Sequence, residues 1–106
     1  MAQVTYGGKQ IEIDEDGFIQ DPAMWDEQVA RDLAAKEEGV TEMTDEHWKL
    51  VHYLRNYYLQ FQIAPMIRKV CKETGFPLQK LYELFPSGPA KGACKVAGLP
   101  KPTGCV

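Results

Sequence analysis

The sequence predicts a mainly α-helical protein with an N-terminal β-hairpin and a C-terminal arm. Three observations predict it. VTYGGKQIEI, near the start, alternates apolar and polar residues on either side of a glycine pair. Between Asp21 and Phe85, apolar residues recur three and four apart in four separate stretches, the spacing of helices with one buried face. From Gly98 onward, Gly98, Pro100, Pro102 and Gly104 alternate with single residues, which suits neither helix nor strand. The expected organisation is one helical domain over residues 1–97, with its hairpin at about 3–13, and a flexible arm over 98–106.

In order, Val4 and Tyr6 alternate with polar neighbours on one side of the Gly7-Gly8 turn and Ile11 and Ile13 on the other, and DEDG (14–17) makes a second turn. Asp21-Pro22 reads as a helix start, Asp as N-cap and Pro in the first turn. Trp25, Val29 and Leu33 then recur every four residues, and Gly39 is the expected stop. Thr44 caps the next helix, whose first turn carries Asp45 and Glu46 where the helix dipole favours anions. Its stripe of Trp48, Val51, Leu54, Tyr58 and Phe61, widened by Leu50 and Tyr57, marks it as central to the core. Pro65 starts a third helix that ends at Gly75, with Ile67, Val70 and Cys71 on its apolar side. Pro77 starts a fourth, with Leu78, Leu81, Tyr82 and Phe85 at helical spacing, and Pro86, Gly88 and Pro89 end it. Ala90–Val96 has room for one short helical turn.

The chain has 106 residues, enough for a single small core. Its 44% apolar and 25% charged residues are those of an ordinary globular protein, and no stretch approaches the ~20 apolar residues of a membrane helix. The N-terminus lacks the basic-then-apolar order of a secretory signal, so a cytoplasmic location is expected. Three cysteines in a reducing compartment are expected to be free, metal-binding or redox-active. Charge is unevenly spread: residues 1–61 hold thirteen acids against five Lys/Arg, and residues 62–106 hold two against seven. The second half could therefore meet an anionic partner.

No CxxC pair or Cys/His spacing suggests zinc. His47 and His52, five apart on a helix, point about 140° away from each other and cannot share a metal. Cys71, on an apolar helix face, reads as an inert core thiol. The third and fourth helices have the short turn of a helix-turn-helix pair. Yet PLQKLYELF offers only Lys80 as a cation, so an ordinary packed pair is expected and no nucleic-acid partner.

Cys94 and Cys105 remain, in GACKVAGLPKPTGCV. An exposed thiol at a chain tip is an oxidation liability. Pro100 and Pro102 stiffen the segment, and twelve extended residues span on the order of 35–40 Å, enough to enter a cleft in another protein. Folding back to join the two cysteines would close a loop at an entropic cost of roughly 3 kcal/mol, compatible with a labile disulfide. Lys91 and Lys95 flank Cys94 and should favour its thiolate, whereas the terminal carboxylate of Val106 disfavours that of Cys105 and Lys101 offsets it only in part. Lys91, Lys95 and Lys101 are the candidate partner-contacting cations. The pattern is that of a carrier loaded inside partner sites, not of a self-sufficient enzyme.

LFPSGPAKGAC and GLPKPTGCV, with DEDGF, DEHWKLVHYLRNYY and IAPMIRKV, resemble the DsrC family of sulfur carriers over nearly the whole chain. The resemblance implies an orthogonal helical bundle with an N-terminal hairpin and a mobile arm. By motif, Cys105 carries sulfur and Cys94 pairs with it in a trisulfide or disulfide. The implied partners are the alpha and beta subunits of dissimilatory sulfite reductase, a membrane-bound thiol/disulfide reductase complex and other sulfurtransferases. No cofactor is expected in this chain; sirohaem and iron–sulfur clusters would belong to the reductase. The related TusE proteins, which act in tRNA thiolation, keep only the penultimate cysteine. A TusE-like relay and a helix-turn-helix regulator are the alternatives.

Overall fold

The computed structural model describes residues 2–101, with the backbone alone at Ala90. Strands β1 (Ala2–Tyr6) and β2 (Lys9–Ile13) pair antiparallel, with Val4 opposite Ile11 and Tyr6 opposite Lys9. The turn needs positive φ at both central residues, and Gly7 (+58°) and Gly8 (+78°) supply it. A Cβ on Gly7 would lie 2.9 Å from the Val29 backbone nitrogen, so glycine also lets the turn sit against the next helix. The Gly7 N–H donates to the Asp32 carboxylate at 3.0 Å and fixes it there. The DEDG turn forms as expected: the Asp14 carboxylate accepts from Asp16 N and Phe18 N. Phe18 and Ile19 then enter the core.

Asp21-Pro22 opens only a 3-10 turn, Pro22–Met24, and not the helix expected there. Trp25 is extended, and α1 (Glu27–Glu38) starts after it, with Asp26 accepting from Val29 N at 2.8 Å. The helix ends at Gly39, as expected. Helix α2 (Asp45–Phe61) is capped by Thr44 in a reciprocal arrangement: the Thr44 N–H donates to His47 Nδ1 at 3.1 Å. His47 Nε2 reaches the Leu84 carbonyl at 2.9 Å, and burial lowers the ring's pKa, so the neutral form with its proton on Nε2 fits both contacts. Leu50, Val51 and Leu54 are fully buried, but Phe61 is half exposed: the helix outruns the core by a turn.

Helix α3 (Ile67–Thr74) ends at Gly75, and α4 (Leu78–Leu84) buries Leu81 and Leu84 while Leu78 and Tyr82 stay half exposed. Cys71 is only half-buried at the edge of the core. The last helical segment, a π-turn at Pro89–Ala93 running into α5 (Cys94–Val96), lies among the most buried parts of the chain. Ala93, Val96, Ala97 and Leu99 are completely buried, and Gly98 is buried with them. The packed body thus continues through Leu99, two residues past the boundary expected at residue 97. The cause is one side chain: Leu99 turns inward, its N–H donating to the Cys94 carbonyl at 3.1 Å. Residues 102–106, and with them Cys105 and most of the expected arm, lie outside the described residues. The molecule is a mainly α orthogonal bundle with a two-stranded hairpin.

Candidate functional site

Cys94 opens α5, and its residue is 3% exposed. Burial pushes its thiol up to about 12 from an ordinary 9.0. Desolvation disfavours the thiolate, and a neighbouring charge offsets it only if it stays close and unpaired. Neither flanking lysine does this, which corrects the expectation that they would activate Cys94. Lys95 has a side chain only 12% exposed, turned toward Glu37 at 3.7 Å and lying 5.3 Å over the Phe18 ring. Lys91 is exposed. Lys101, at the end of the described chain, donates to the Asp16 carboxylate, which lowers the Asp16 pKa and raises its own. Of the three candidate partner-contacting cations, Lys91 presents an exposed side chain, Lys95 is engaged within the fold, and Lys101 bridges to the acidic turn.

The segment behind Cys94 is held by Trp25, Arg55 and Glu38, of which only Trp25 stands out in the sequence, as part of an apolar stripe. Trp25 Nε1 donates to the Val96 carbonyl at 2.8 Å, and Arg55 Nη1 donates to the Ala97 carbonyl at 3.1 Å. Arg55 Nη2 also donates to the Pro22 carbonyl at 2.6 Å, and its guanidinium lies 4.3 Å from the centre of the Trp25 ring. Burial lowers the Arg55 pKa, but guanidinium stays charged at neutral pH. Glu38, buried at the end of α1, accepts from Ser87 N at 2.9 Å and secures the approach to the π-turn. The sequence places Trp25 in an apolar stripe and marks Arg55 with no role; only the fold brings them to residues 96–98.

Among the described residues no cluster of three His, Cys, Asp or Glu could hold a metal ion. No described helix is long and apolar enough to cross a membrane. In α4, Lys80 is paired with Glu46 at 2.8 Å, so the one cation of the would-be recognition helix is engaged.

The hairpin, the bundle and a sheltered thiol next to the chain's end define a small helical protein built around its C-terminal segment. A family model described as "DsrC like protein" matches residues 5–106. The chain is 51% identical over 106 residues to the dissimilatory-type sulfite reductase subunit gamma of Nitratidesulfovibrio vulgaris, covering 100% of both. It is 41% identical over 110 residues to the sulfurtransferase TusE of Escherichia coli, covering 97% of this chain and 99% of that one. The crystal structure of the oxidised gamma-subunit of dissimilatory sulfite reductase (DsrC) from Archaeoglobus fulgidus superposes with a TM-score of 0.85 at 47% identity, covering 99% of this chain and 100% of that one. The chain belongs to the DsrC family.

Proposed function

We propose that this protein is a sulfur carrier that works with dissimilatory sulfite reductase. The observation that carries this reading is the end-to-end likeness to a gamma subunit of that enzyme. The likeness to a sulfurtransferase supports the same chemistry. Cys105 accepts sulfite-derived sulfur while the arm is inserted among the alpha and beta subunits, whose sirohaem and iron–sulfur clusters supply electrons. Cys94 is the second thiol. In the trisulfide route, one sulfite sulfur becomes the middle atom between Cys94 and Cys105. Four electrons reduce it, two from the two thiols and two from the reductase, and its three oxygens leave as water. In the persulfide route, the Cys94 thiolate attacks Cys105 Sγ, a disulfide forms, and hydrosulfide leaves with the electron pair of the broken sulfur–sulfur bond. A membrane-bound thiol/disulfide reductase then returns two electrons to the disulfide, or four to the trisulfide with release of sulfide.

Burial suits the second role. A thiol kept protonated in the core does not react with stray electrophiles between loading events. The presence of Cys94 also separates this chain from a TusE-like relay, for which one terminal cysteine is enough.

The test is intact mass and alkylation mapping after incubation with sulfite reductase, sulfite and an electron donor. The expected product carries one added sulfur bridging Cys94 and Cys105. Cys105→Ala should accept none, and Cys94→Ala should hold a persulfide at Cys105. Normal loading of Cys105→Ala would overturn the assignment.

A further inference from the structure

A buried thiol that must react has to be uncovered, and the described residues show what holds it closed. Helix α5 is three residues long and follows a π-turn, so it makes few hydrogen bonds of its own. The carbonyls of Val96 and Ala97 point out of its C-terminal end, where a helix leaves acceptors without partners. Trp25 fills the first and Arg55 the second. Arg55 ties the same point to the Pro22 carbonyl, and so to the segment that carries Trp25. Gly98 completes the joint: its φ is +75°, and a Cβ there would lie 2.4 Å from Trp25 Cδ1. Leu99 plugs the other side with a fully buried side chain.

We propose that Trp25 and Arg55 form a clamp on the Val96–Gly98 turn, and that release of this clamp is the opening step that exposes Cys94 to the sulfur on Cys105. The proposal rests on the reading of Cys94 as the second thiol. Trp25 and Arg55 are positioning residues, since neither touches a reacting atom. The clamp is suited to local release. Its bonds reach only backbone carbonyls, those of Val96 and Ala97 at the end of a very short helix and that of Pro22, and its residues are half-buried, within reach of a docking partner. Helices α1 and α2 both pack on α5, and their buried Val29, Leu33, Leu50 and Leu54 share one core cluster with Val96, Ala97 and Leu99, so the polar ties of Trp25 and Arg55 are the part of this contact that can be released locally.

The test uses the full chain with Cys71→Ala and Cys105→Ala, leaving Cys94 as the only thiol, and measures its native-state alkylation rate beside the denaturant midpoint. Arg55→Met keeps an apolar chain against Trp25 and removes both donors. It should raise the labelling rate at least about tenfold, the ratio set by losing one charged hydrogen bond. Labelling should rise more than global unfolding does. Arg55→Lys, which can serve one carbonyl but not both, should restore part of the difference. Trp25→Phe removes only the indole donor and keeps the test open if Arg55→Met does not fold; it should act in the same direction. Labelling that follows global stability in every variant, or is unmoved by them, overturns the clamp. A second arm, with Cys94 and Cys105 both present, follows bridge formation after persulfide loading. It should quicken with Arg55→Met, and a bridge whose rate ignores Arg55 also overturns the clamp. A parent chain that never bridges marks failure of the carrier reading instead, because the labelling arm needs no sulfur chemistry.

Discussion

At the residue scale the informative contrast is between Cys94 and Cys71. From sequence, Cys71 looks interior and Cys94 looks like the root of an arm, yet Cys94 is 3% exposed and Cys71 is half-buried. Helical spacing locates an apolar face but not how deeply that face is covered, and α3 lies at the edge of the bundle. Nor does adjacency of lysines in sequence settle a thiol's ionisation. Desolvation acts on Cys94 directly, while the charge of Lys95 is spent on Glu37. The consequence is measurable. In the unfolded chain the thiol ionises near its ordinary 9.0, and in the folded one only near 12. Between those values the unfolded state has released a proton that the folded state retains, so rising pH favours unfolding. The contribution of Cys94 to stability is complete below pH 9 and is lost above it, at up to about 1.4 kcal/mol per pH unit. Urea midpoints of the parent and of Cys94→Ala should therefore converge or cross as pH rises from 8 to 10. Equal slopes for the two chains would mean that the thiol is not desolvated.

At the scale of elements, the C-terminal segment is where the fold departs most from its sequence. A Gly- and Pro-rich run with one leucine reads as something that can be removed at little cost. Leu99 reverses this, since a fully buried leucine contributes both transfer energy and the filling of its cavity. Leu99→Ala should cost about 2–5 kcal/mol. Deleting residues 98–106 should cost at least as much, measured by denaturant unfolding; a neutral deletion would show that Leu99 does not pack in solution. The elements that could be read were those with their own local signals. Gly7-Gly8 demands its turn, Thr44 and Gly39 cap their helices, and Leu81 and Phe85 of the fourth helix's period are buried. Helix α1 started late because Asp21 and Asp26 are both competent caps, and the one before Glu27 won once Trp25 was drawn to Val96. Helix α5 has no period to read, being held by contacts made far away in sequence. The same holds for the site: the cysteines stand out by position and composition, but Trp25 and Arg55 gain their meaning only when 71 and 42 residues of separation collapse into hydrogen bonds.

At the scale of the whole molecule, folding sets the two charge halves against each other. Asp16 meets Lys101, Glu37 meets Lys95 and Glu46 meets Lys80, each joining an acid of residues 1–61 to a cation of residues 62–106. Read along the chain, the second half looks like a surface for polyanions; in the fold, three of its seven cations are already engaged. This bears on the helix-turn-helix alternative. A DNA reader needs donors that project from one helix toward base edges. The exposed side chains of α4 beyond its first residue are Gln79, Tyr82 and Glu83, and Lys80 is held by Glu46. Any affinity for DNA should then come from the remaining lysines and arginines acting on phosphates, which is independent of sequence and falls steeply as salt displaces it. Gel-shift titration at low salt should show at most weak binding, equal for unrelated duplexes and gone at physiological ionic strength. Cys105→Ala should leave that weak binding unchanged while removing sulfur acceptance. Sequence-specific binding that persists in physiological salt and survives Cys105→Ala would place the main function on α3 and α4 instead of on the C-terminal thiols.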